Sequence, residues 1–174
     1  MTRRTNAAAT DTTYSDAVNR LHPNITHVWR FSGLLGAAFS TGGIGALELW
    51  VLNPGGLGLF PPGALTATVG LAGFAHALAW PSVRYRYWRW TIDDERVLIQ
   101  KGVIWRSRSL IPRVRVQHVD TRTSPLQRWF GLASLIVYTA GTRGADAEIP
   151  GLTAEEAERL REELARVEEL DERT

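Results

Sequence analysis

The first candidates for chemistry are His118 and Asp120, two positions apart on one predicted strand. A carboxylate beside a histidine orients the general base of many hydrolases. No serine is linked to the pair by spacing, and alternate residues of any strand share a face. The pattern therefore favours a structural role, and we expect no catalytic residues.

Metal and cofactor chemistry has little support in the sequence. The chain of 174 residues has no cysteine, which excludes thiolate nucleophiles, disulfides and cysteine zinc sites. Its four histidines lack metal-ligand spacing, and no glycine-rich phosphate loop follows a strand. We expect no metal, no cofactor and no enzymatic activity.

Arginine and aromatic residues are interleaved in YRYWRWTIDDER, residues 85–96. Residues 84–128 hold 11 basic residues against 4 acids, whereas residues 143–174 hold 5 against 11. This basic block could meet nucleic acid or an anionic lipid surface. The candidates for a membrane interface or lipid contact are Arg84, Arg86, Trp88, Arg89, Trp90, Arg106 and Arg108.

Two apolar runs precede the basic block, over residues 31–52 and 62–81, and the segment NPGGLGLFPP joins them. Each run is close to the ~20 residues that a helix needs to cross a bilayer. A hairpin buried inside a soluble protein is the alternative, but a chain this short offers little protein to cover it. We predict a transmembrane helical hairpin over residues 28–82, which makes nucleic-acid binding improbable.

The flanking charges predict an orientation. Arginines precede and follow the hairpin, and the connecting loop has none, so the positive-inside rule places both termini in the cytoplasm. Residues 1–27 are expected to form a mobile tail. Small residues at four-residue spacing are expected to pack the helices on each other or on a partner: Gly36 with Ser40, Gly42 with Ala46, and Ala64, Thr68 and Ala72.

Glu48 and His76 are the ionisable residues within these apolar runs. Such residues are candidates for function, but the two lie at different depths and are poor partners for each other. For Glu48 we favour an anchor at the membrane interface over a functional group.

Strand-like patterns fill the rest of the chain, residues 83–174. Strands are predicted over 83–92, 97–100, 103–111, 114–121, 135–140 and 146–149. A break in alternation near Tyr87 predicts a bulge, or a switch from interface to core. A helical turn is expected from Pro125 to Gly131, and a capping box at Thr153 begins a last helix whose apolar stripe faces a six-stranded sheet.

These pieces, in this order, resemble the YdbS-like bacterial PH-domain membrane proteins over about residues 30–168. Ser124 departs from the family, which often has glycine there, and this leaves the local turn conformation open. The resemblance is carried by the turn glycine, the IP-R-VQHV strand and the PL-R-FGLA connector, with the motif residues Gly102, Pro112, Arg113, Gln117, His118, Pro125, Arg128 and Gly131.

The resemblance implies an α+β membrane protein, in which a transmembrane hairpin precedes a PH-like antiparallel β-barrel or bent sheet capped by a C-terminal helix. It implies a multi-pass protein of the bacterial plasma membrane with no established catalytic activity. We expect a scaffold or accessory subunit, with an integral membrane partner, a multi-PH-domain protein or a second copy of itself, or contact with anionic lipid. A structural subunit of a larger membrane complex is the alternative.

Overall fold

A computed structural model describes residues 19–52, 61–93, 95–139 and 147–171. The chain begins with two helices, α1 (Ile25–Leu47) and α2 (Ala64–Arg86), and α1 runs on into a π-helical turn, Glu48–Leu52. Two three-stranded sheets and two further helices follow. Residues 1–18 of the predicted tail lie outside the described residues. Residues 53–60, between the two helices, also lie outside them.

The two long helices pack against each other as an antiparallel hairpin. Their contact uses small residues at four-residue spacing, but on a different face from the predicted one. A Cβ added at Gly33 would lie 3.1 Å from the Cβ of Ala77, and one added at Gly73 would lie 3.3 Å from that of Ala37. The predicted pairs that begin at Gly36 and Gly42 are not at this contact, since a Cβ at either glycine would meet nothing within 4 Å. Packing of the helices through small residues is therefore confirmed on another face, and packing of the predicted pairs on a partner stays a prediction.

Neither long helix confirms the prediction of two membrane spans. Among the described residues, no helix combines the length and the apolar character that crossing a bilayer requires. Each long helix has 23 residues and is about 34 Å long at 1.5 Å per residue. The helices are therefore long enough, and it is their apolar content that falls short. Glycine, serine and threonine, which suit close helix packing, lower the mean hydropathy.

Sheet A contains β1 (Arg89–Ile92), β2 (Arg96–Lys101) and β3 (Ser107–Pro112). Sheet B contains β4 (Val116–Arg122), β5 (Leu132–Thr139) and β6 (Ala147–Thr153). Both sheets are antiparallel meanders, in the orders β1-β2-β3 and β4-β5-β6. The predicted α+β architecture with antiparallel strands is confirmed. Among the described residues, however, the six strands form two separate sheets and no closed barrel. A short 3₁₀ turn, Arg113–Arg115, interrupts the chain between them.

The remaining helices are α3 (Pro125–Trp129) and α4 (Ala154–Asp171). The turn predicted from Pro125 is confirmed, and the Ser124 hydroxyl accepts a hydrogen bond from the backbone N–H of Gln127 in a complete capping box. Serine is therefore an adequate N-cap at the position where a glycine was expected. Helix α4 packs on sheet B and buries Ala157, Leu160 and Leu164, as its apolar stripe predicted.

One hydrophobic core joins both sheets, α4 and the start of α1. Leu21 and Ile25 are almost fully buried in it, and the backbone N–H groups of Asn19 and Trp90 each donate to the other residue's carbonyl. The predicted mobile tail over 1–27 is therefore wrong for residues 19–27. The cause is tertiary packing, because two apolar side chains in a polar segment find places in the core.

The chain leaves α2 later than its residue types predict. The stretch from 83 was expected to be extended, but α2 continues to Arg86 and β1 begins at Arg89. Contacts with the N-terminal segment explain this: the Tyr85 hydroxyl donates to the Leu21 carbonyl at 3.0 Å, and the Arg84 guanidinium lies 4.3 Å from the Trp29 ring centre. Tertiary contacts here override β-propensity.

Candidate functional site

The two sheets have one end next to the helical hairpin, which we call the proximal end, and an opposite, distal end. In sheet A, β1 begins just after α2, and the pairing of Arg89 with Gln100 places the β2–β3 turn at the proximal end. In sheet B, the Gly151 carbonyl accepts a hydrogen bond from the His22 N–H at 2.7 Å, which places the end of β6 there too. The 3₁₀ turn Arg113–Arg115 lies at the distal end, because Pro112 pairs with Arg96 at the start of β2.

The turn between β2 and β3, residues 102–106, carries two exposed apolar side chains. Ile104 is 75% exposed and Trp105 is 88% exposed. Gly102 has a φ of +109°, and a Cβ there would lie 1.8 Å from the Trp105 carbonyl oxygen, so a side chain is excluded. The predicted turn at Gly102 is confirmed, but it extends over residues 103–106, which were predicted to begin the next strand.

Helix α3 forms a second exposed element at the proximal end. The Phe130 ring, just after this helix, stacks on His27 in the first turn of α1, with ring centres 6.0 Å apart. Trp129 points away from the core and is 81% exposed. The sequence analysis did not identify Trp129 as an exposed candidate, because the residues around it have the pattern of a segment that connects two strands.

The predicted basic candidates lie at this end as well. Arg89 donates to the carbonyls of Arg86 and Trp88, each at 3.0 Å, so it binds the last turn of α2. The Arg106 guanidinium lies 5.8 Å from the Tyr87 ring centre. Desolvation lowers the pKa of Arg84 and the Glu148 carboxylate opposes the shift, but an arginine remains charged at physiological pH. Arg108 is on β3, one residue into the strand.

Trp88 and Trp90 were predicted membrane-interface residues, and the structure buries both. Trp88 is 4% exposed and Trp90 is 3% exposed, and both belong to the core. Tyr87 beside them is exposed. The break in alternation near Tyr87 thus marks the predicted switch from surface to core, at the end of a helix rather than at a bulge.

The family-motif residues do not converge on one pocket. Gly102 belongs to the proximal β2–β3 turn, while Pro125, Arg128 and Gly131 belong to α3 and its end, where Gly131 has a φ of +67°.

The other motif residues lie away from the proximal end. Pro112 and Arg113 are distal, and the buried guanidinium of Arg113 donates to Glu163 at 3.0 Å, joining the 3₁₀ turn to α4. Gln117 and His118 are exposed on β4. Gly102 and Gly131, with their positive φ angles, and Arg113, with its bond to Glu163, thus have structural roles in the fold.

The His118 and Asp120 pair forms on the surface. The His118 Nε2 lies 2.9 Å from an Asp120 carboxylate oxygen, and the His118 ring lies 5.8 Å from that of Tyr138. Both side chains are about half exposed or more. Among the described residues, no group of three potential ligands could hold a metal ion.

Glu48 has a structural task that the sequence did not reveal. It is 8% exposed, and its carboxylate accepts hydrogen bonds from the backbone N–H groups of Gly63 at 2.7 Å and Thr66 at 3.0 Å, and from the Thr66 hydroxyl. These donors are at the beginning of α2, where helical N–H groups lack partners inside the helix. Glu48 therefore caps α2 from the end of α1, and the predicted interfacial anchor is not its observed role.

His76 lies on the outer surface of the hairpin beside an open groove of about 600 Å³. The groove is lined by Ser40 of α1 and Ala72 of α2, among other small residues, and the His76 ring stacks on Trp80 with ring centres 5.3 Å apart. As expected from their depths, Glu48 and His76 are not partners.

A sequence profile of bacterial PH domains matches residues 40–168, most of the chain. The chain belongs to the bacterial PH domain family. The matched region includes α2, both sheets and most of α4, but only the last eight residues of α1.

Two relatives from Bacillus subtilis (strain 168) extend this assignment. The chain is 40% identical to the UPF0699 transmembrane protein YdbS over 87 residues, which are 50% of this chain and 53% of YdbS. It is 30% identical to the UPF0699 transmembrane protein YdbT over 81 residues, 46% of this chain and 16% of YdbT. The chain thus spans about half the length of YdbS, and it is YdbS-like. No solved structure matches it.

Proposed function

We propose that this protein is a non-enzymatic, membrane-anchored PH-like scaffold whose helical hairpin is embedded in the plasma membrane and holds the two-sheet unit at the cytoplasmic surface. The observation that carries this proposal is the outer surface of the hairpin. It exposes large apolar side chains on both helices, including Phe31, Leu35, Phe39, Leu71, Phe74 and Leu78. Exposed apolar area of this extent is typical of a surface that meets lipid or protein.

The charge distribution supports the same proposal. Residues 49–83 carry no charge, and Glu48 is occupied in capping α2. Arginines gather where the hairpin meets the sheets, which suits the inner surface of a membrane. The name of YdbS describes a transmembrane protein, and the present chain shares half its length with it. The low hydropathy of each helix is compatible with a paired hairpin whose small residues face each other.

Membrane extraction tests the anchor. We expect the full chain, expressed in a bacterium, to remain in the membrane pellet after an alkaline wash. Phe39→Asp with Leu71→Asp should shift it to the soluble fraction, because both side chains point outward and a carboxylate in hydrocarbon costs several kcal/mol. Val114→Asp, an equally exposed position on the distal 3₁₀ turn, is the matched control and should not change the partition. Release of the unmodified protein by the wash would refute the anchor.

An assembly subunit is the second candidate function, and the groove beside His76 favours it. Small residues let a third helix approach closely, and a histidine can donate a hydrogen bond to it. The partner would be an integral membrane protein or a second copy of this chain.

Affinity purification in mild detergent, followed by mass spectrometry, tests this candidate. We expect one stoichiometric partner with the unmodified chain and its loss with Ala72→Leu, which fills the groove. Gly42→Leu is the matched control, because Gly42 is not among the lining residues and meets nothing within 4 Å. Equal recovery from both variants would argue against the groove.

A further inference from the structure

We propose that the β2–β3 turn and α3 are two membrane-contacting prongs on either side of the hairpin base, which insert Ile104, Trp105 and Trp129 into the headgroup region of an anionic bilayer. This inference rests on the proposed function, since it requires the hairpin to be the anchor. It adds a second contact with lipid, made by the PH-like unit itself.

The position of the prongs is the first argument. The β2–β3 turn is held beside the end of α2, because Arg106 lies over Tyr87 and Lys101 lies 5.9 Å from the Trp88 ring centre. Helix α3 is held beside the start of α1 through the stacking of Phe130 on His27. Each prong thus adjoins the end of a different hairpin helix, on the side where both helices enter the sheets.

The chemistry of the exposed side chains is the second argument. Tryptophan prefers the boundary between hydrocarbon and headgroups, where its ring is buried and its N–H stays wet. Trp105 and Trp129 are both more than four-fifths exposed, while the other tryptophans of the sheet region, Trp88 and Trp90, are buried. In the sheet region, both exposed tryptophans therefore lie at the proximal end.

Charge complementarity is the third argument, and it selects an anionic surface. Residues 96–119 contain no acidic residue, and the β2–β3 hairpin within them carries Lys101, Arg106 and Arg108 at its proximal end. Arg128 adjoins Trp129 on the second prong and is exposed. Basic residues close to an anionic leaflet contribute about 1 kcal/mol each. The distal end is mixed in charge, because Asp93 and Glu95 of the β1–β2 turn lie there together with Arg96 and Arg115.

Site-specific fluorescent labelling tests this inference on the full chain, which has no cysteine of its own. Single variants Trp105→Cys, Trp129→Cys, Val114→Cys and Phe39→Cys would each carry the dye NBD. Each labelled protein would be reconstituted into vesicles of phosphatidylcholine and phosphatidylglycerol in equal parts. Quenching by aqueous iodide and by lipids with a shallow spin label would then be measured.

We expect the labels at 105 and 129 to be quenched by the shallow lipid and to show several-fold weaker iodide quenching than the label at 114. Position 114 is the matched control, since Val114 is 82% exposed but distal. Arg106→Glu with Arg108→Glu should return the label at 105 to strong iodide quenching. Iodide access at 105 or 129 as high as at 114 overturns the two-prong arrangement.

The label at position 39 separates this inference from the proposed function. Phe39 lies near the middle of α1 and faces outward. If its label is protected from iodide while those at 105 and 129 are not, the anchor stands and the prongs are wrong. If its label is also open to iodide, the anchor itself is wrong.

Discussion

At the scale of single residues, Gly151 and Glu48 have roles in holding the hairpin. Gly151 contacts the start of α1, and Glu48 caps α2. Gly151 meets Ile25 so closely that an added Cβ would lie 2.7 Å from the Ile25 Cβ, and its φ is +67°. Glu48 supplies the acceptor that the start of α2 lacks. Neither role can be read from residue type, because each depends on a neighbour that is distant in sequence.

Replacement of Gly151 by alanine should destabilise the fold strongly. The substitution adds left-handed backbone strain of about 1 kcal/mol and an overpacking cost of about 1–3 kcal/mol against Ile25. Gly131→Ala is the control, because Gly131 has the same φ but a Cβ there would meet nothing within 4 Å. Thermal unfolding, followed by circular dichroism, should show a larger decrease in unfolding temperature for Gly151→Ala than for Gly131→Ala. Equal decreases would mean that Ile25 moves aside and that the close contact adds no cost.

Loss of the Glu48 carboxylate should destabilise the hairpin. Glu48→Ala removes the acceptor shared by two backbone N–H groups and a hydroxyl, so the first N–H groups of α2 lose their protein partner. Glu48→Gln keeps a side-chain oxygen and should retain part of this stability. Unfolding in detergent would measure the difference, and a Glu48→Ala protein as stable as the unmodified one would contradict the capping role.

At the scale of elements, the small-residue face of the hairpin is the feature that differs most from expectation. The sequence offers several sets of small residues at four-residue spacing, and the spacing is the same for each. The set that packs is Gly33 and Ala37 on α1 with Gly73 and Ala77 on α2.

A bulky residue at this contact should separate the helices. Gly73→Leu places a large side chain where a Cβ alone would lie 3.3 Å from Ala37, whereas Gly42→Leu enters open space. We expect Gly73→Leu to lower the unfolding temperature by several degrees, from an overpacking cost of about 1–3 kcal/mol, and Gly42→Leu to have little effect. Comparable results for the two variants would contradict the observed face.

At the scale of the whole molecule, the hairpin and the PH-like unit share one core, so orientation of one determines orientation of the other. Leu21 and Ile25 are buried among strands of both sheets. In the proposed anchor, the proximal arginines would therefore set the position of the entire protein at a membrane.

Changing Arg84, Arg86 and Arg89 together to glutamate should invert or destabilise the hairpin, because the positive flank on its inner side would be lost. Single cysteines in the cysteine-free chain, tested for modification from either side of the membrane, would measure this topology. The control is Arg113→Glu combined with Glu163→Arg, which exchanges a distal ion pair and should leave topology unchanged. Unaltered topology in the triple variant would contradict the charge argument.

The sequence by itself determined the helical hairpin, most strand positions and the last helix, which follow from local patterns: apolar runs, alternation, a capping box and turn residues at fixed offsets. The family was indicated separately, by the resemblance of its motif residues. Helix α4 buries Ala157, Leu160 and Leu164 as its period predicted, and Pro125 begins α3 as expected.

Only the tertiary structure decided which side chains face the core and which remain exposed. Trp88 and Trp90 were expected at a membrane surface and are buried, while Trp105 and Trp129 are exposed. Local sequence cannot distinguish these cases, because burial of an aromatic ring depends on contacts between segments distant in the chain. The same reason explains the division of six strands into two sheets, which depends on pairing across the chain and not on the pattern of any one strand.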